Sequence, residues 1–349
     1  MLLVIEILGK NEIDTIGMEE EVMATKDKIL EMLQQQDSFV SGQALCDQLG
    51  ISRTAVWKNM NALKEDGYVI ESVNNKGYHL VEEPDVIDPK RIGEYLHTQW
   101  LAHNIVYDKK MDSTNTQAKI LGESGGENGT VVIAEQQTAG KGRRGKTWVS
   151  PIGNCYFTVL LRPDVHADRA SMITLVSALA LAQAVENIMG LQTMIKWPND
   201  VIANGKKLCG ILTESSSDLE YINYVVVGIG VNCNQTEFPE EIRDIASSIC
   251  LETGKRVDRT RLLAEFFNCF EVYYEKFLET EDLQGLVEDY NVRLINRGKD
   301  VKIVEKEQET VLRAIGIDQH GGLIVEDEAG VQRSIISGEV SVRGLYGYV

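Results

Sequence analysis

Residues 195–200 have the sequence IKWPND, which predicts a strand that ends in a bend. Pro198 discourages helix at Trp197, so the chain is extended there. The bend carries Asn199 and Asp200 to the end of the strand, where an amide and a carboxylate can meet a metal ion or a nucleotide. A binding site is therefore expected at this bend.

The residues that follow, VIANGKKLCGILTE at 201–214, predict a β-hairpin. Asn204 and Gly205 suit its two-residue turn, because both tolerate a positive φ. The hairpin directs Lys207 to one face of a sheet, and Gly210 leaves room for a ligand close to the backbone. Further strands are predicted at 130–134, 154–161, 193–197 and 224–231, and helices at 170–188 and 261–278. Strands and helices are therefore mixed in this part of the chain.

A basic, glycine-rich segment, AGKGRRGKTW at 139–148, stands out in a chain of formal charge −18. Four cations fall between Lys141 and Lys146, and glycines separate them. Glycine lets backbone N–H groups approach phosphate oxygens while Lys and Arg neutralise charge, so the segment suits an anionic ligand. Its GxGxxG pattern is weak by itself, and a solvated loop or an RNA-contacting segment explains it at least as well.

Two other stretches carry polar or small residues at the ends of predicted strands. DSTN at 112–115 lies between a strand at 105–107 and a helix predicted to start near Thr116. Its hydroxyls and amide can bind a polar head group or simply cap the helix. VVVGIGVN at 225–232 predicts a buried strand, which alone is ordinary core.

Residues 25–83 predict a winged helix-turn-helix. Ser41 and Ser52 suit the caps of two short helices, Gly50 ends the first, and a β-hairpin wing follows. The candidate DNA contacts are the polar residues of the second short helix, predicted to be exposed: Ser52, Arg53, Thr54, Lys58 and Asn59. Residues 51–64 hold three cations and no acid, but the whole unit carries six cations against nine acids. A winged helix used for protein contacts therefore stays an alternative.

Composition excludes several classes of protein. A pI near 4.8 argues against a nucleic-acid coat or a membrane-surface protein, and no run approaches the ~18–20 apolar residues that a membrane span needs. The six scattered cysteines lack metal-ligand spacing, which indicates reduced thiols in a cytoplasmic protein and no zinc site. Residues 1–22 are acidic and weakly patterned, so they predict a disordered tail or an over-long start in preference to a functional arm.

The pattern changes again near Asp300, where short alternating segments begin. Strands are predicted at 300–304, 310–317, 322–326, 331–336 and 340–343. This spacing indicates a small β-barrel at the C-terminal end.

Taken together, these stretches resemble the biotin protein ligases. DSTN, QQTAGKGRRGKTW, KWPND, KLCGIL and GIGVN occur in that order across residues 105–235. The winged helix and the C-terminal SGEVSVR resemble the bifunctional members of the family, which are also biotin operon repressors. The resemblance implies an α/β (α+β) multidomain chain with a mixed-sheet ligase domain related to class II aminoacyl-tRNA synthetases and an SH3-like β-barrel. The implied segments are an extension at 1–22, the winged helix at 23–84, the ligase domain at 85–297 and the barrel at 298–349.

The resemblance also implies a reaction that explains a basic loop in an acidic protein. Biotin's carboxylate attacks the α-phosphate of ATP in the presence of Mg²⁺, which gives biotinyl-5′-adenylate and pyrophosphate. A lysine of a biotin carboxyl carrier protein then takes the biotin and releases AMP. A carboxylate and a triphosphate repel each other, and preorganised cations offset that repulsion.

The site residues implied by the resemblance fall into two groups. Contacts to biotin or its adenylate are Ser113, Thr114, Asn115, Gln137, Lys141, Gly142, Arg143 and Lys207, of which Arg143 and Lys207 are the catalytic pair. Trp148, Asn199 and Asp200 are assigned to adenine or Mg²⁺, with no metal ion fixed by protein ligands alone. Lys141 stands where the family commonly has arginine, so a looser hold on the closed loop is expected.

The implied partners are the carrier protein, operator DNA and a second copy of the chain, which pairs through the central sheet when adenylate is bound. No membrane is implied. One alternative is a lipoate-type acyl-protein ligase, which shares the fold and chemistry, although the KWPND string and the basic loop favour biotin. The other is a non-catalytic biotin-sensing transcription factor, and the presence of Arg143 and Lys207 argues against it.

Overall fold

The computed structural model describes residues 25–36, 38–65, 67–82, 84–218, 221–305, 308–336 and 341–344. Contacts divide the chain into two compact units, Met1–Asp85 and Val86–Val349. The expectation for residues 1–22 lies outside the described residues. All six cysteines are free thiols, as predicted.

The first unit is a winged helix-turn-helix. Its elements are α1 (25–34), α2 (Gly42–Leu49), α3 (Arg53–Glu65), β1 (Val69–Val73) and β2 (Gly77–Glu82). Ser41 caps α2 by accepting a 3.0 Å hydrogen bond from the backbone N–H of Ala44, and Gly50 ends the helix at a φ of +66°. Antiparallel pairing of β1 with β2 forms the wing. The predicted helix-turn-helix and wing are confirmed.

The second unit is built on a seven-stranded mixed sheet of order β3-β4-β5-β9-β8-β7-β6. The strands are β3 (Ile105–Met111), β4 (Val131–Gln137), β5 (Cys155–Leu161), β6 (Met194–Lys196), β7 (Asp200–Ala203), β8 (Lys206–Asp218) and β9 (Tyr221–Val231). β3 and β4 are parallel, and the remaining pairs are antiparallel. The predicted strands and the hairpin at Asn204 and Gly205, both at positive φ, are therefore confirmed.

Helices cover this sheet and bury its apolar side chains. They are α4 (Pro89–Tyr95), α5 (Thr114–Glu123), α6 (Met172–Met189), α7 (Ile249–Thr253), α8 (Arg259–Thr280) and α9 (Val287–Arg293). Within the described residues, the stretch Ala167–Met189 alone is long and apolar enough to cross a membrane, but 72% of its apolar window is buried inside the fold. This stretch therefore contains a core helix, as predicted for residues 170–188, which are apolar on most faces.

A five-stranded antiparallel sheet ends the second unit. Its strands are β10 (Asp300–Glu305), β11 (Gln308–Ile317), β12 (Leu323–Glu326), β13 (Gln332–Ile335) and β14 (Ser341–Gly344), in the order β13-β12-β11-β10-β14. Val301, Ala314 and Val325 from this sheet belong to the same core as α6 and α8. The C-terminal sheet is therefore packed onto the central domain.

Candidate active site

A pocket of about 850 Å³ opens over the central sheet, and it collects residues that lie far apart in the sequence. Its walls are the start of α5, the basic loop, the IKWPND bend and the middle of β8 and β9. All the residues predicted for biotin, adenylate, adenine or Mg²⁺ line it: Ser113, Thr114, Asn115, Gln137, Lys141, Gly142, Arg143, Trp148, Asn199, Asp200 and Lys207. The fold therefore brings the separate motifs to one place.

The charge of this pocket is strongly positive although the chain is acidic. Its cationic lining residues are Lys141, Arg143, Arg144, Lys146, Lys196 and Lys207. Among the described residues that line it, Asp200 is the one carboxylate. A concave site with this balance attracts a ligand that carries several negative charges.

A hydrogen-bonded chain ties the basic loop to the IKWPND bend. Arg143 Nη1 donates to Asn199 Oδ1 at 2.7 Å, and Asn199 Nδ2 donates to Asp200 Oδ1 at 3.0 Å. Lys207 Nζ forms an ion pair with Asp200 Oδ1 at 2.6 Å. Burial lowers the pKa of the Arg143 guanidinium, and the nearby Asp200 carboxylate opposes that effect. Two cations therefore meet the carboxylate and amide of the bend within hydrogen-bond distance.

The indole of Trp148 lies on glycines of the sheet. A Cβ at Gly230 would come within 2.5 Å of Trp148 Nε1, and one at Gly210 within 2.9 Å of its Cζ3. Lys207 Nζ lies 5.2 Å from the ring centroid, in a cation–π contact. The open space predicted beside Gly210 is therefore filled by Trp148, because the missing Cβ lets an aromatic ring from the neighbouring loop pack there. Among the described residues, Trp148 Nε1 is buried without a hydrogen-bond partner.

The DSTN segment differs from the prediction at its helix start. α5 begins at Thr114, two residues before the expected position, and Ser113 takes the cap position without a side-chain capping bond. Gln137 Oε1 accepts hydrogen bonds from the Thr114 backbone N–H at 2.9 Å and from Thr114 Oγ1 at 3.2 Å. Gln137 Nε2 donates to Ser150 Oγ at 2.9 Å. This end of the pocket is therefore a fixed polar wall.

Asn115 uses its polar atoms within the protein. Its Nδ2 donates to Glu214 Oε2 at 2.9 Å, and its Oδ1 accepts from Thr158 Oγ1 at 2.7 Å. Its side chain fills the space beside Gly228, where any Cβ would clash with it. Burial raises the pKa of the Glu214 carboxyl, but hydrogen bonds from Asn115 and Lys119 outweigh it, so the pKa is lowered overall. Sequence reasoning missed Glu214 and Lys119, because neither belongs to a recognised motif.

The basic loop is folded back on itself. The backbone N–H of Gly142 donates to the carbonyl of Lys146 at 2.7 Å, and Lys141 forms a β-bridge with Thr147. Lys141 Nζ donates to Thr116 Oγ1 at 2.9 Å. The loop is therefore held against the start of α5 as well as against the bend.

An apolar segment on another side of the pocket was not singled out from the sequence. It follows β9 and places four residues in the pocket wall: Phe238, Pro239, Ile242 and Ile245. Phe238, Ile242 and Ile245 recur at the i, i+4 and i+7 spacing of one helix face, but that pattern indicates a buried face and carries no signal of a ligand site. The pocket is therefore cationic along the loop and the bend, and apolar along this segment.

Known protein families match three segments of the chain. The biotin/lipoate A/B protein ligase family matches residues 107–232, an HTH domain matches 25–79, and the biotin protein ligase C-terminal domain matches 298–343. The bifunctional ligase/repressor BirA of Bacillus subtilis is 36% identical over 313 residues, covering 88% of this chain and 95% of the relative. This chain belongs to the BirA family of bifunctional ligase/repressors.

Two other members of the wider group support that assignment. The bifunctional ligase/repressor BirA of Escherichia coli is 30% identical over 309 residues, which covers 87% of this chain and 93% of the relative. The biotin protein ligase from Aquifex aeolicus in complex with biotin and ATP has a TM-score of 0.62 and 32% identity. It covers 69% of this chain and 99% of its own.

The winged helix of this BirA-family chain places four of its five predicted DNA contacts at the surface. They are Ser52, Arg53, Thr54 and Lys58. Asn59 is 5% exposed and its Nδ2 donates to the Ala55 carbonyl at 2.9 Å, so the prediction that it is exposed was wrong. It follows Val56 by three positions and precedes Leu63 by four, which puts it on the core face of α3.

Among the residues that the structure describes, no group of three or more His, Cys, Asp or Glu side chains could hold a metal ion. The pocket offers the Asp200 carboxylate beside the Asn199 amide. Mg²⁺ is commonly bound by one or two carboxylates together with substrate phosphates, and this donor set fits that mode.

Proposed function

We propose that this protein activates biotin with ATP and transfers it to one lysine of a biotin carboxyl carrier protein. The observation that carries the proposal is the meeting of the basic loop, the IKWPND bend and Lys207 around one cationic pocket. The names of the relatives, which are biotin ligases and ligase/repressors, support the same activity. The Aquifex aeolicus ligase, whose structure contains biotin and ATP, supports the choice of both substrates.

In the first step, a carboxylate oxygen of biotin attacks the α-phosphorus of ATP. The bond from that phosphorus to the bridging oxygen breaks, and pyrophosphate leaves with the electron pair. Lys207 and Arg143 place positive charge beside the reacting groups, which offsets the repulsion between the two anions. Both side chains are fixed before the substrates bind, by Asp200 and by Asn199. The cations therefore need little reorganisation at the moment of reaction.

The two substrates are assigned to different walls of the pocket. The biotin ring and tail are assigned to the polar wall, which internal hydrogen bonds fix in place. This wall is formed by Ser113, Thr114, Asn115 and Gln137. Lys141, Gly142 and Arg143 surround the acyl phosphate. Trp148 provides an aromatic surface for adenine.

The triphosphate would bring Mg²⁺ into the pocket, where the ion would neutralise phosphate charge. Asp200 and Asn199 are the residues that would hold it, and Lys207 already lies 2.6 Å from that carboxylate. Asp200, Asn199 and Lys207 would thus hold the phosphates close to the biotin carboxylate.

In the second step, the amine of the carrier lysine attacks the acyl carbon of biotinyl-5′-adenylate. The acyl–phosphate bond breaks, AMP leaves and the amine loses a proton. The folded basic loop excludes water from the mixed anhydride until the lysine arrives. The cytoplasm is the expected location, since the proposed reaction uses ATP and all six cysteines are free thiols.

A comparison of acids separates biotin from the lipoate alternative. Pyrophosphate release is measured with ATP and Mg²⁺ while biotin, lipoate or octanoate is supplied at equal concentration. Biotin alone is expected to stimulate release. Release that is faster with lipoate would identify a lipoate-type ligase and overturn the substrate assignment.

We propose in addition that the protein represses transcription by binding operator DNA as an adenylate-bound dimer. The winged helix at 23–84 is the DNA-binding domain, with the ligase domain at 85–297 and the C-terminal domain at 298–349. Within the described residues, β7 pairs with β8 only up to Gly210, so the rest of β8 has β9 as its one strand neighbour. Ile211 and Leu212 still bond to Asn199 and Asn115, so the edge from Thr213 onward is the part of the central sheet on which a second copy can pair.

A gel-shift titration tests the repressor proposal. Duplexes from upstream of biotin synthesis genes are mixed with the protein, with and without biotin and ATP, and sedimentation velocity follows assembly. Adenylate is expected to promote both dimers and DNA binding. Binding that is absent, or indifferent to adenylate, would leave the ligase alone, whereas binding without carrier biotinylation would indicate a non-catalytic sensor.

A further inference from the structure

The exposed face of α3 carries one large aromatic side chain in cationic surroundings. Trp57 is 60% exposed, although α3 buries its opposite face. Arg53 and Lys58 are exposed as well, and residues 51–64 contain three cations and no acid. Transfer of the tryptophan ring out of water lowers the free energy of the system. A face of this composition therefore suits a partner that is anionic and offers apolar contacts in the same place.

The position of Trp57 on the helix is central within that face. At 3.6 residues per turn, Trp57 lies about one turn beyond Arg53, and Thr54 and Lys58 lie to its other side. Thr54 is exposed and three positions away, so its methyl group and the indole are neighbours on the surface. The apolar strip of Thr54 and Trp57 is therefore flanked by a cation on each side.

The flanking cation on the wing side has a fixed position. Arg53 Nη2 donates to Gln43 Oε1 at 2.8 Å, which holds the guanidinium beside the N-terminal end of α2. Arg53 also lines a cleft of about 440 Å³ that the wing turn borders, and Lys76 belongs to that turn. Cations at these positions suit contacts with the sugar–phosphate backbone of a DNA duplex. On a duplex whose phosphates met these cations, the strip between Arg53 and Lys58 would face the base edges of the major groove.

We propose that Trp57 is a specificity-determining residue that packs on thymine C5-methyl groups in the major groove, with Thr54 beside it. The inference rests on the proposed repressor function and adds the base that the helix selects. Thymine is the base that presents an apolar group in that groove. Contacts of Arg53 and Lys58 with phosphates supply affinity that does not depend on sequence. Trp57 then supplies discrimination between sequences.

The test removes the methyl groups from the DNA and the ring from the protein. Duplexes are selected from a randomised pool by the full-length protein in the presence of biotin and ATP. Each thymine of the selected duplex is then replaced singly by uracil, which lacks only the C5-methyl group. Wild type and Trp57→Ala are titrated with every duplex, and uracil placed outside the bound region is the DNA control. Circular dichroism and biotin transfer check that Trp57→Ala is folded and active.

Uracil substitution and Trp57→Ala are each expected to lower DNA affinity, and their effects are expected not to be additive. For wild type, uracil at one or two thymines of each half-site lowers affinity by about fivefold to tenfold, as expected for one altered base pair. Trp57→Ala lowers affinity for the selected duplex by a similar factor, keeps its affinity for random duplex, and no longer responds to those uracils. Trp57→Phe is expected to retain part of the response.

Each contrary result has its own meaning. If wild type binds no duplex, the repressor proposal and this inference both fail. If wild type binds and Trp57→Ala responds to uracil as wild type does, only the role of Trp57 is overturned. If Trp57→Ala leaves DNA affinity unchanged but abolishes dimers, the exposed indole belongs to an interface between copies of the chain, and thymine contact is likewise overturned.

Discussion

Trp197 Nε1 donates a 3.0 Å hydrogen bond to the carbonyl oxygen of Gly321, and this bond joins the IKWPND bend to the turn between β11 and β12. The Trp197 ring is 2% exposed, and its backbone N–H donates to Asn296 Oδ1 at 3.0 Å. Asn199 and Asp200, which meet Arg143 and Lys207, follow two and three residues later. The C-terminal sheet therefore contributes to the position of the pocket's one described carboxylate.

Trp197→Phe removes the indole N–H while keeping an aromatic ring in the core. Loss of one buried hydrogen bond costs about 1 kcal/mol. If the bend shifts and this cost appears in the free energy of ATP binding, KM for ATP rises by roughly fivefold. KM for biotin is expected to stay unchanged, since the biotin wall does not depend on this bond. Trp100→Phe is the matched control, because Trp100 Nε1 bonds to Glu275 away from the pocket. Equal rises in KM for ATP and KM for biotin would show that the substitution loosens the whole pocket and does not act through the position of the bend.

Lys207→Ala removes the cation that pairs with Asp200 and lies over Trp148. Adenylate synthesis, followed as biotin-dependent pyrophosphate release, is expected to fall by about 10²–10³-fold, as for loss of one preorganised charge in an active site. Lys206→Ala is the control, because the neighbouring Lys206 Nζ reaches the Arg243 carbonyl outside the pocket. Normal pyrophosphate release by Lys207→Ala would remove Lys207 from the mechanism.

Arg143→Gly breaks the 2.7 Å bond to Asn199 that closes the basic loop on the bend. The variant is expected still to make biotinyl-5′-adenylate, although more slowly because Lys207 alone then offsets the repulsion between the anions, and to release it. The intermediate would then label lysines on an unrelated protein such as serum albumin. Arg144→Gly is the comparison, since Arg144 is exposed and in the left-handed region at a φ of 56°, which glycine adopts readily. Arg144→Gly is expected to label fewer lysines of the unrelated protein than Arg143→Gly does. Labelling by Arg143→Gly that stays confined to the carrier lysine would show that Arg143 does not retain the intermediate.

Arg53→Ala combined with Lys58→Ala removes two exposed cations from the winged helix. If both contact phosphates, the slope of log affinity for DNA against log salt concentration is expected to fall by about two. Biotin transfer is expected to be unchanged, because both residues lie outside the compact unit that holds the pocket. An unaltered salt slope would place these side chains away from DNA.

The sequence predicted the elements whose signals are local. The hairpin between β7 and β8 follows from Asn204 and Gly205, which both adopt positive φ, and α6 follows from a segment that is apolar on most faces. These two features depend on short stretches of chain, so reasoning from the residues alone reached them. The residues of the pocket were implied by the resemblance to the biotin protein ligases, which rests on recognisable strings of polar and small residues.

The features that were missed depend on tertiary contacts. The ring that fills the space beside Gly210 comes from Trp148, 62 positions earlier in the chain. Glu214 on β8 reaches Asn115 on α5, and the Trp197–Gly321 bond joins the bend to the turn between β11 and β12. The burial of Asn59 is a different case, because its position between Val56 and Leu63 on α3 would have placed it in the core had helical spacing been weighed above its polarity.

The most direct test of the account is ATP-dependent biotin transfer onto a carrier domain, followed by intact-mass and peptide mass spectrometry. Purified protein, biotin, ATP and Mg²⁺ are expected to add one biotin to one carrier lysine, and a carrier with that lysine changed to arginine is expected to stay unmodified. Omission of ATP should abolish the addition. A carrier that remains unmodified under the complete conditions, while the protein still binds biotin, would contradict the assignment of this pocket as a ligase active site.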